Sequence, residues 1–212
     1  MKKNKIIIDT TNSRTELCDL GVKYPTDKSP YNEEDGLHKH PYMAIYNLLF
    51  LPFKSKNINF AEIGIYRNMS MMCWREFFPN ANLFGFEYDS VFLTNAINHD
   101  LYNTKYSYID ITNKESLETE LSKFEKFDII LEDSTHKFED QINLCEISHK
   151  YMNSGGILII EDIFRDEDEN RYLDSLQSVK EYYSDMFFIE TEHILKYSPG
   201  WNNDKLMILI KK

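Results

Sequence analysis

No two of the three cysteines stand close together. Cys18, Cys73 and Cys145 are widely spaced and odd in number, which excludes a zinc ribbon or a CxxC redox pair. They fit free, mostly buried thiols in a reducing cytosol. Long apolar runs are missing as well. Nothing approaches the roughly 20 residues of a membrane span. The opening MKKNKIIIDTTNS has three consecutive apolar residues, against the roughly 7–15 of a signal peptide. The expectation is a cytoplasmic chain without membrane contact. There is no basic patch either: 24 Lys and Arg are interleaved with 35 Asp and Glu, for a net charge of -11. Such a surface repels phosphate backbones, so nucleic acid is not an expected partner. Internal repeats and low-complexity tracts are absent.

What is present describes one domain. A chain of 212 residues lies under the roughly 250 at which single cores stop growing. Its 42% hydrophobic and 28% charged residues exclude a disordered tail and a membrane bundle. Residues 1–36 are polar and turn-rich, broken by Pro25, Pro30 and Gly36, and read as an N-terminal arm or lid. Residues 37–212 read as the domain proper. A helical pattern over 37–53 carries Tyr42, Ile45, Tyr46 and Leu49 at helical spacing. Strands and helices then alternate. Strands are expected at 58–65, 82–87, 106–110, 127–132 and 156–161, with two more at 186–193 and 205–212. Helices are expected at 69–78, 90–98, 114–124 and 137–152, the last ended by Gly155-Gly156, and around 171–184. The pattern predicts a doubly wound, mostly parallel α/β sheet of seven strands with helices on both faces. FDIILE and GILIIE, apolar at nearly every position, suit central strands. The last two strands lie close together and suit an antiparallel C-terminal edge hairpin.

Ligands in such sheets bind beyond the carboxyl ends of the strands. After the first strand stand Glu62, Gly64, Asn68 and Ser70. Gly64 and Asn68 are the residue types that tolerate positive φ in a turn passing close to a ligand. An ordinary strand-to-helix turn reads the same way. Glu87 ends the second strand and suits a pair of ribose hydroxyls. Asp110 ends the third and suits an exocyclic amine. Each is equally a solvated acid at a strand tip. EDSTH (132–136) follows the fourth strand, and Glu161 and Asp162 end the fifth. Neighbouring strand ends lie about 5 Å apart, so Asp133, Glu161 and Asp162 would crowd into one crevice. That crowding asks for a cation, and an all-oxygen set suits Mg²⁺ or another hard divalent ion. The alternative is that these acids splay into solvent as helix caps. His136, in the next turn, is a candidate proton acceptor, or a histidine bonded to backbone at a helix start. His99, His149 and His193 have weaker cases.

AEIGIYRNMS, GFEYD, FDIILEDSTH and GGILIIEDI, in that order, resemble the class I S-adenosylmethionine-dependent methyltransferases. More narrowly, they resemble the metal-dependent O-methyltransferases that act on sugars of macrolide and aminocoumarin natural products. KYPTDKSP followed by HKHPY is similar to that group's segment ahead of the first strand. The resemblance implies a Rossmann-like methyltransferase fold. It implies S-adenosylmethionine held by Glu62, Gly64, Asn68, Ser70, Glu87 and Asp110, and Mg²⁺ held by Asp133, Glu161 and Asp162. His136 would be the base, with Asp133 beside it, and the acceptor a hydroxyl of a sugar, glycosylated small molecule or glycan. Two departures stand out. Asn68 replaces a glycine, and DDGSH becomes EDSTH, altering Glu132 and Ser134; the Ser134 side chain is expected to narrow the acceptor pocket. Lys28, His38, His40 and Tyr42 of the arm are expected to fold over the site, or the arm serves a homo-oligomer.

Two other functions fit the same motifs. One is an oxygenase resembling cephalosporin hydroxylases, although an Fe(II) site needs two histidines and a carboxylate and only His136 is near the acids. The other is a catalytically silent binding module, which Asn68 and the scarcity of glycine, seven in the chain, allow.

Overall fold

The computed structural model describes residues 5–34, Gly36 and 38–212. Residues 1–4, Asp35 and Leu37 lie outside the described residues, and with them the start of the expected arm and of the first expected helix.

Eight strands form one sheet: β1 (Lys5–Asp9), β2 (Asn59–Ile63), β3 (Asn82–Glu87), β4 (Thr104–Tyr108), β5 (Phe127–Glu132), β6 (Met152–Ile163), β7 (Tyr183–Glu192) and β8 (Lys205–Lys211). Their spatial order is β1-β7-β8-β6-β5-β2-β3-β4. Seven are parallel, and β8 runs antiparallel to both its neighbours. The doubly wound α/β sheet is thus present with one strand more than expected. Lys5–Asp9 pairs outside β7, so the β7–β8 hairpin is not the edge. The same pairing builds Lys5–Asp9, within the expected arm, into the sheet.

Helices α1 (Glu16–Lys23), α2 (Met43–Phe50), α3 (Met69–Phe77), α4 (Ser90–Asn98), α5 (Lys114–Leu121), α6 (Phe138–Ser148) and α7 (Glu169–Ser175) cover both faces. Strand residues alternate between two cores, as a period of two requires. Phe60, Ile129, Ile157 and Leu206 face the core of Tyr46, Phe50 and Trp74. Ala61, Ile130, Leu158 and Met207 face the core of Leu117, Leu144 and Tyr172. β5 and β6 are covered on both sides, which their unbroken apolar runs require. All three cysteines are free and buried. No helix among the described residues is long and apolar enough to cross a membrane.

Two local departures matter for the site. The glycine pair does not end α6, which stops at Ser148. Gly155 (φ +78°) and Gly156 lie inside β6, where the register with β5 shifts between Phe127 and Ile129. A second shift, against β8, falls between Ile160 and Ile163. There Asp162 takes a left-handed φ of +57°. A bulge of this kind breaks strand alternation and re-aims a side chain.

Candidate active site

From β2, the connections to β3 and β4 step one way across the sheet, and β5 and β6 lie on the other side. The order therefore reverses between β2 and β5, and a crevice opens beyond their carboxyl ends. It holds a cleft of about 610 Å³ whose lining includes Gly64, Tyr66, Glu87, Asp110, Asp133 and His136. That volume suits a ligand the size of a nucleoside conjugate.

Gly64 (φ +89°) makes the floor. A Cβ there would stand 2.1 Å from the Asp133 carbonyl oxygen, so the position accepts no side chain. Glu87 is held at the rim by backbone amides. Its Oε2 accepts from Tyr66 N at 2.9 Å, and its Oε1 from Tyr88 N at 2.8 Å and Asp89 N at 2.9 Å. Asp110 Oδ1 accepts from Thr112 N and Oγ1, at 3.0 and 2.7 Å. Both carboxylates are thereby fixed against the cleft with lone pairs to spare.

Three of the expected cofactor residues make hydrogen bonds within the fold. Glu62 is fully buried and turned under α3, where its Oε2 accepts from Ser70 Oγ at 2.9 Å and Trp74 Nε1 at 2.7 Å. Burial pushes its carboxyl up to about 7 against the pull of Lys28. Ser70 is thus engaged with Glu62, although it borders a small side pocket shared with Lys28, Gly64 and Asp133. Asn68 does adopt positive φ (+69°). Its amide donates to Tyr106 Oη at 2.9 Å and meets His99 Nδ1 at 3.0 Å, bracing the turn from behind.

At the opposite end the acids meet. Asp133 Oδ1 lies 3.9 Å, and Asp162 Oδ2 3.6 Å, from His136 Nδ1. One donor atom from each of Asp133, His136 and Asp162 lies within 4.8 Å of the others, a spacing that fits one metal ion. His136 Nδ1 is buried and has no hydrogen-bond partner among the described residues, an orphan that a bound ion would satisfy. Glu161 is differently placed. Its Oε1 accepts from Tyr46 Oη at 2.5 Å and its Oε2 from Lys28 Nζ at 2.9 Å. Burial drives its carboxyl well above the usual range.

The loop before α2 supplies more of the site than a cover. Lys28 Nζ also donates to Asp133 Oδ2. Tyr42 Oη donates to Asp162 Oδ1 at 2.7 Å. Tyr42 and Tyr46 are one helical turn apart and share a face. The bulge at Asp162 is what lets two consecutive carboxylates meet them. Their spacing was visible in the sequence, but their partners were not. His38 instead meets Ser198 Oγ at 3.2 Å. His149 stacks on Tyr182 at 4.1 Å, and His193 Nε2 meets Tyr31 Oη at 3.1 Å. Two of the altered positions of EDSTH, Glu132 and Ser134, contact each other. Ser134 Oγ donates to Glu132 Oε1 at 2.6 Å, so the serine turns toward Glu132.

His40 stacks on Tyr42 at 5.2 Å, and its Nδ1 lies 3.0 Å from Asp204 Oδ1. Burial lowers its pKa, but Asp162 and Asp204 overcome that and raise it to about 9. A raised pKa contributes stability that is complete below the ordinary value of 6.5 and lost as pH rises through 9. Glu62 and Glu132, each held at about 7 by burial, act in the same direction over a lower range. The melting temperature is therefore expected to be several degrees higher at pH 6 than at pH 9.5 in a calorimetric scan. His40→Gln should flatten the upper part of that slope; an unchanged slope would remove His40 from the account.

No protein-family model matches the sequence, and no curated protein matches it. Solved structures do. The MycE methyltransferase of the mycinamycin biosynthetic pathway, in complex with Mg, SAH and mycinamycin VI, superposes with a TM-score of 0.70 at 18% identity. The match covers 94% of this chain and 55% of that one, so the chain spans about half the length of MycE. Aeropyrum pernix fibrillarin with bound S-adenosyl-L-methionine matches with a TM-score of 0.54 at 13% identity, over 74% and 67% of the two chains. The CurJ carbon methyltransferase matches with a TM-score of 0.53 at 13% identity, over 80% and 52%. With the strand order and the crevice described above, these likenesses give the chain the fold of the class I S-adenosylmethionine-dependent methyltransferases.

Proposed function

We propose that this protein is an S-adenosylmethionine- and divalent-ion-dependent O-methyltransferase acting on a hydroxyl of a sugar or glycosylated small molecule. One observation carries the reading. A single cleft has two fixed carboxylates, Glu87 and Asp110, at one end, and Asp133 and His136, next to Asp162, at the other. The complex of MycE with Mg and SAH supports it by analogy of fold.

When bound, S-adenosylmethionine supplies an electrophilic methyl group, and the divalent ion lowers the pKa of an acceptor hydroxyl and fixes its aim. Glu87 would accept hydrogen bonds from the ribose hydroxyls and Asp110 from the adenine amine. Gly64 leaves room for close approach at the floor. Asp133 and Asp162 are the carboxylates that would hold the ion, and Tyr42 keeps Asp162 aimed at it. Glu161 stands behind them, engaged by Lys28 and Tyr46. His136 takes the proton that the acceptor hydroxyl loses. Alignment within the cleft supplies much of the remaining rate. An iron oxygenase is disfavoured, because the cluster found among the described residues holds one histidine where two are needed.

The test is a methyl-transfer assay on a panel of glycosides, reading S-adenosylhomocysteine release. Turnover is expected to vanish in EDTA and return with Mg²⁺ or Mn²⁺. Calorimetric S-adenosylhomocysteine affinity should change by no more than about threefold across these conditions. Full turnover in EDTA would eliminate the ion, and no S-adenosylhomocysteine binding would eliminate the methyltransferase.

A further inference from the structure

The connection between β7 and β8, residues 193–204, holds a tryptophan in the open. Trp201 is 47% exposed. A single exposed apolar residue needs no explanation, but this one is built in. Ser198-Pro199-Gly200-Trp201 is a type II turn. Trp201 N donates to Ser198 O at 3.0 Å, and Gly200 supplies the left-handed φ of +80° that follows the proline. The turn is strapped on both flanks. Lys39 and Tyr197 exchange backbone hydrogen bonds at 2.7 and 3.1 Å, and Arg165 N donates to Asn202 O at 2.8 Å.

The turn also stands beside the cleft's acids. Phe164 follows Asp162 by two residues, and Trp201 stacks on it with ring centroids 5.7 Å apart at 23°. Asn203 follows Trp201 by two residues. Its carbonyl oxygen lies 2.8 Å from Tyr42 Oη, the hydroxyl that holds Asp162. Both routes from the indole therefore end at Asp162. Polar groups stand at the indole's rim. The His38 ring lies 6.3 Å from it and meets Ser198 Oγ at 3.2 Å. An aromatic face with hydrogen-bonding groups beside it matches a pyranose, which carries polarised C–H groups on its face and hydroxyls around its edge. A flat phenol has little use for that rim.

We infer that Trp201, backed by Phe164, is the platform on which the acceptor's sugar ring lies while one of its hydroxyls reaches Asp162 and His136. The inference rests on the proposed function and deepens it, since it presumes a glycoside acceptor. Trp201 is then a specificity residue that touches the substrate away from the transferred methyl group. Its turn is already fixed, so stacking requires no loop to order. The contact is the same before and during methyl transfer. It therefore bears on acceptor affinity and not on the chemical step.

The experiment has a binding arm and a kinetic arm, both on the full chain with Mg²⁺. The first follows acrylamide quenching of tryptophan fluorescence with S-adenosylhomocysteine bound, against a panel of methyl hexopyranosides and 6-deoxyhexopyranosides. The chain has two tryptophans, and Trp74 is fully buried, so the quenchable signal belongs to Trp201. At least one glycoside is expected to protect it. The second arm measures methyl transfer to that glycoside. Trp201→Ala should raise KM at least about 10-fold with kcat within about twofold of wild type. Trp201→Phe should recover most of the loss, because it returns a ring. Tyr102→Ala is the control and should match wild type. Tyr102 is 79% exposed and precedes β4, at the end of the sheet away from the cleft. No protection by any glycoside, or an unchanged KM in Trp201→Ala, overturns the platform, and methyl transfer by the wild type then leaves the proposed function standing. S-adenosylhomocysteine binding without methyl transfer to any glycoside removes the proposed acceptor, and the platform with it.

Discussion

Gly64→Ala is expected to lose about 2–5 kcal/mol of stability and most of its S-adenosylhomocysteine affinity. Two costs add. An L-residue at a φ of +89° carries backbone strain of about 1–2 kcal/mol. The new methyl would also stand 2.1 Å from the Asp133 carbonyl oxygen, which real contacts never reach. Backbone must move, and overpacking of this kind costs about 1–3 kcal/mol. Neither neighbour yields cheaply. Gly64 N donates to Phe86 O at 2.9 Å and Asp133 N to Ile63 O at 2.8 Å, so both are fixed in the β3-β2-β5 ladder. A displaced Asp133 also moves a candidate ligand. Gly155→Ala is the control: its φ is +78°, but nothing lies within 4 Å of a Cβ there, so only the strain applies. Urea unfolding and calorimetry measure both variants. Equal losses at the two glycines would show that crowding at the floor does not matter.

His136→Asn should lower turnover by about 100-fold or more, the ordinary worth of a positioned proton acceptor. Asparagine is the informative replacement. His136 has a φ of +56°, and asparagine tolerates that backbone better than alanine does. The fold and the turn of EDSTH are then expected to survive. That turn is held independently, by Ser134 on Glu132 and by Thr135 Oγ1 on Asp140 Oδ2 at 2.6 Å. S-adenosylhomocysteine affinity should stay within about threefold and the melting temperature within a few degrees. An unchanged rate would return His136 to a purely structural part.

The strands of the central sheet are legible because β5 and β6 are apolar at nearly every position and the intervening helices carry their own periodicity. Glu87, Asp110, Asp133 and His136 are legible as cleft residues because each stands at, or within a few residues beyond, the carboxyl end of a strand. Other parts are not, and for different reasons. KIIID is too short to show alternation, and its partner β7 lies at the other end of the sequence. Glu62 reads as a cofactor residue from its place at a strand tip, yet the period of two turns it under α3 toward Trp74. Gly155-Gly156 looks like a helix stop because glycine serves both stops and bulges. Lys28 sits in a polar, proline-flanked loop with no local sign of burial. Only the closure of that loop over β2, β5 and β6 brings it to three carboxylates.

The pairing of β1 has a kinetic consequence. Lys5 is in register with Phe188 and Asp9 with Glu192, a contact between segments separated by nearly the whole chain. Closing so long a loop costs entropy before any ladder bond repays it, and folds rich in such contacts assemble slowly. Ile6, Ile7 and Ile8 must therefore wait unpaired until β7 and β8 have formed. During refolding, that wait opens a window for intermolecular strand pairing, and dilution should raise the recovered yield.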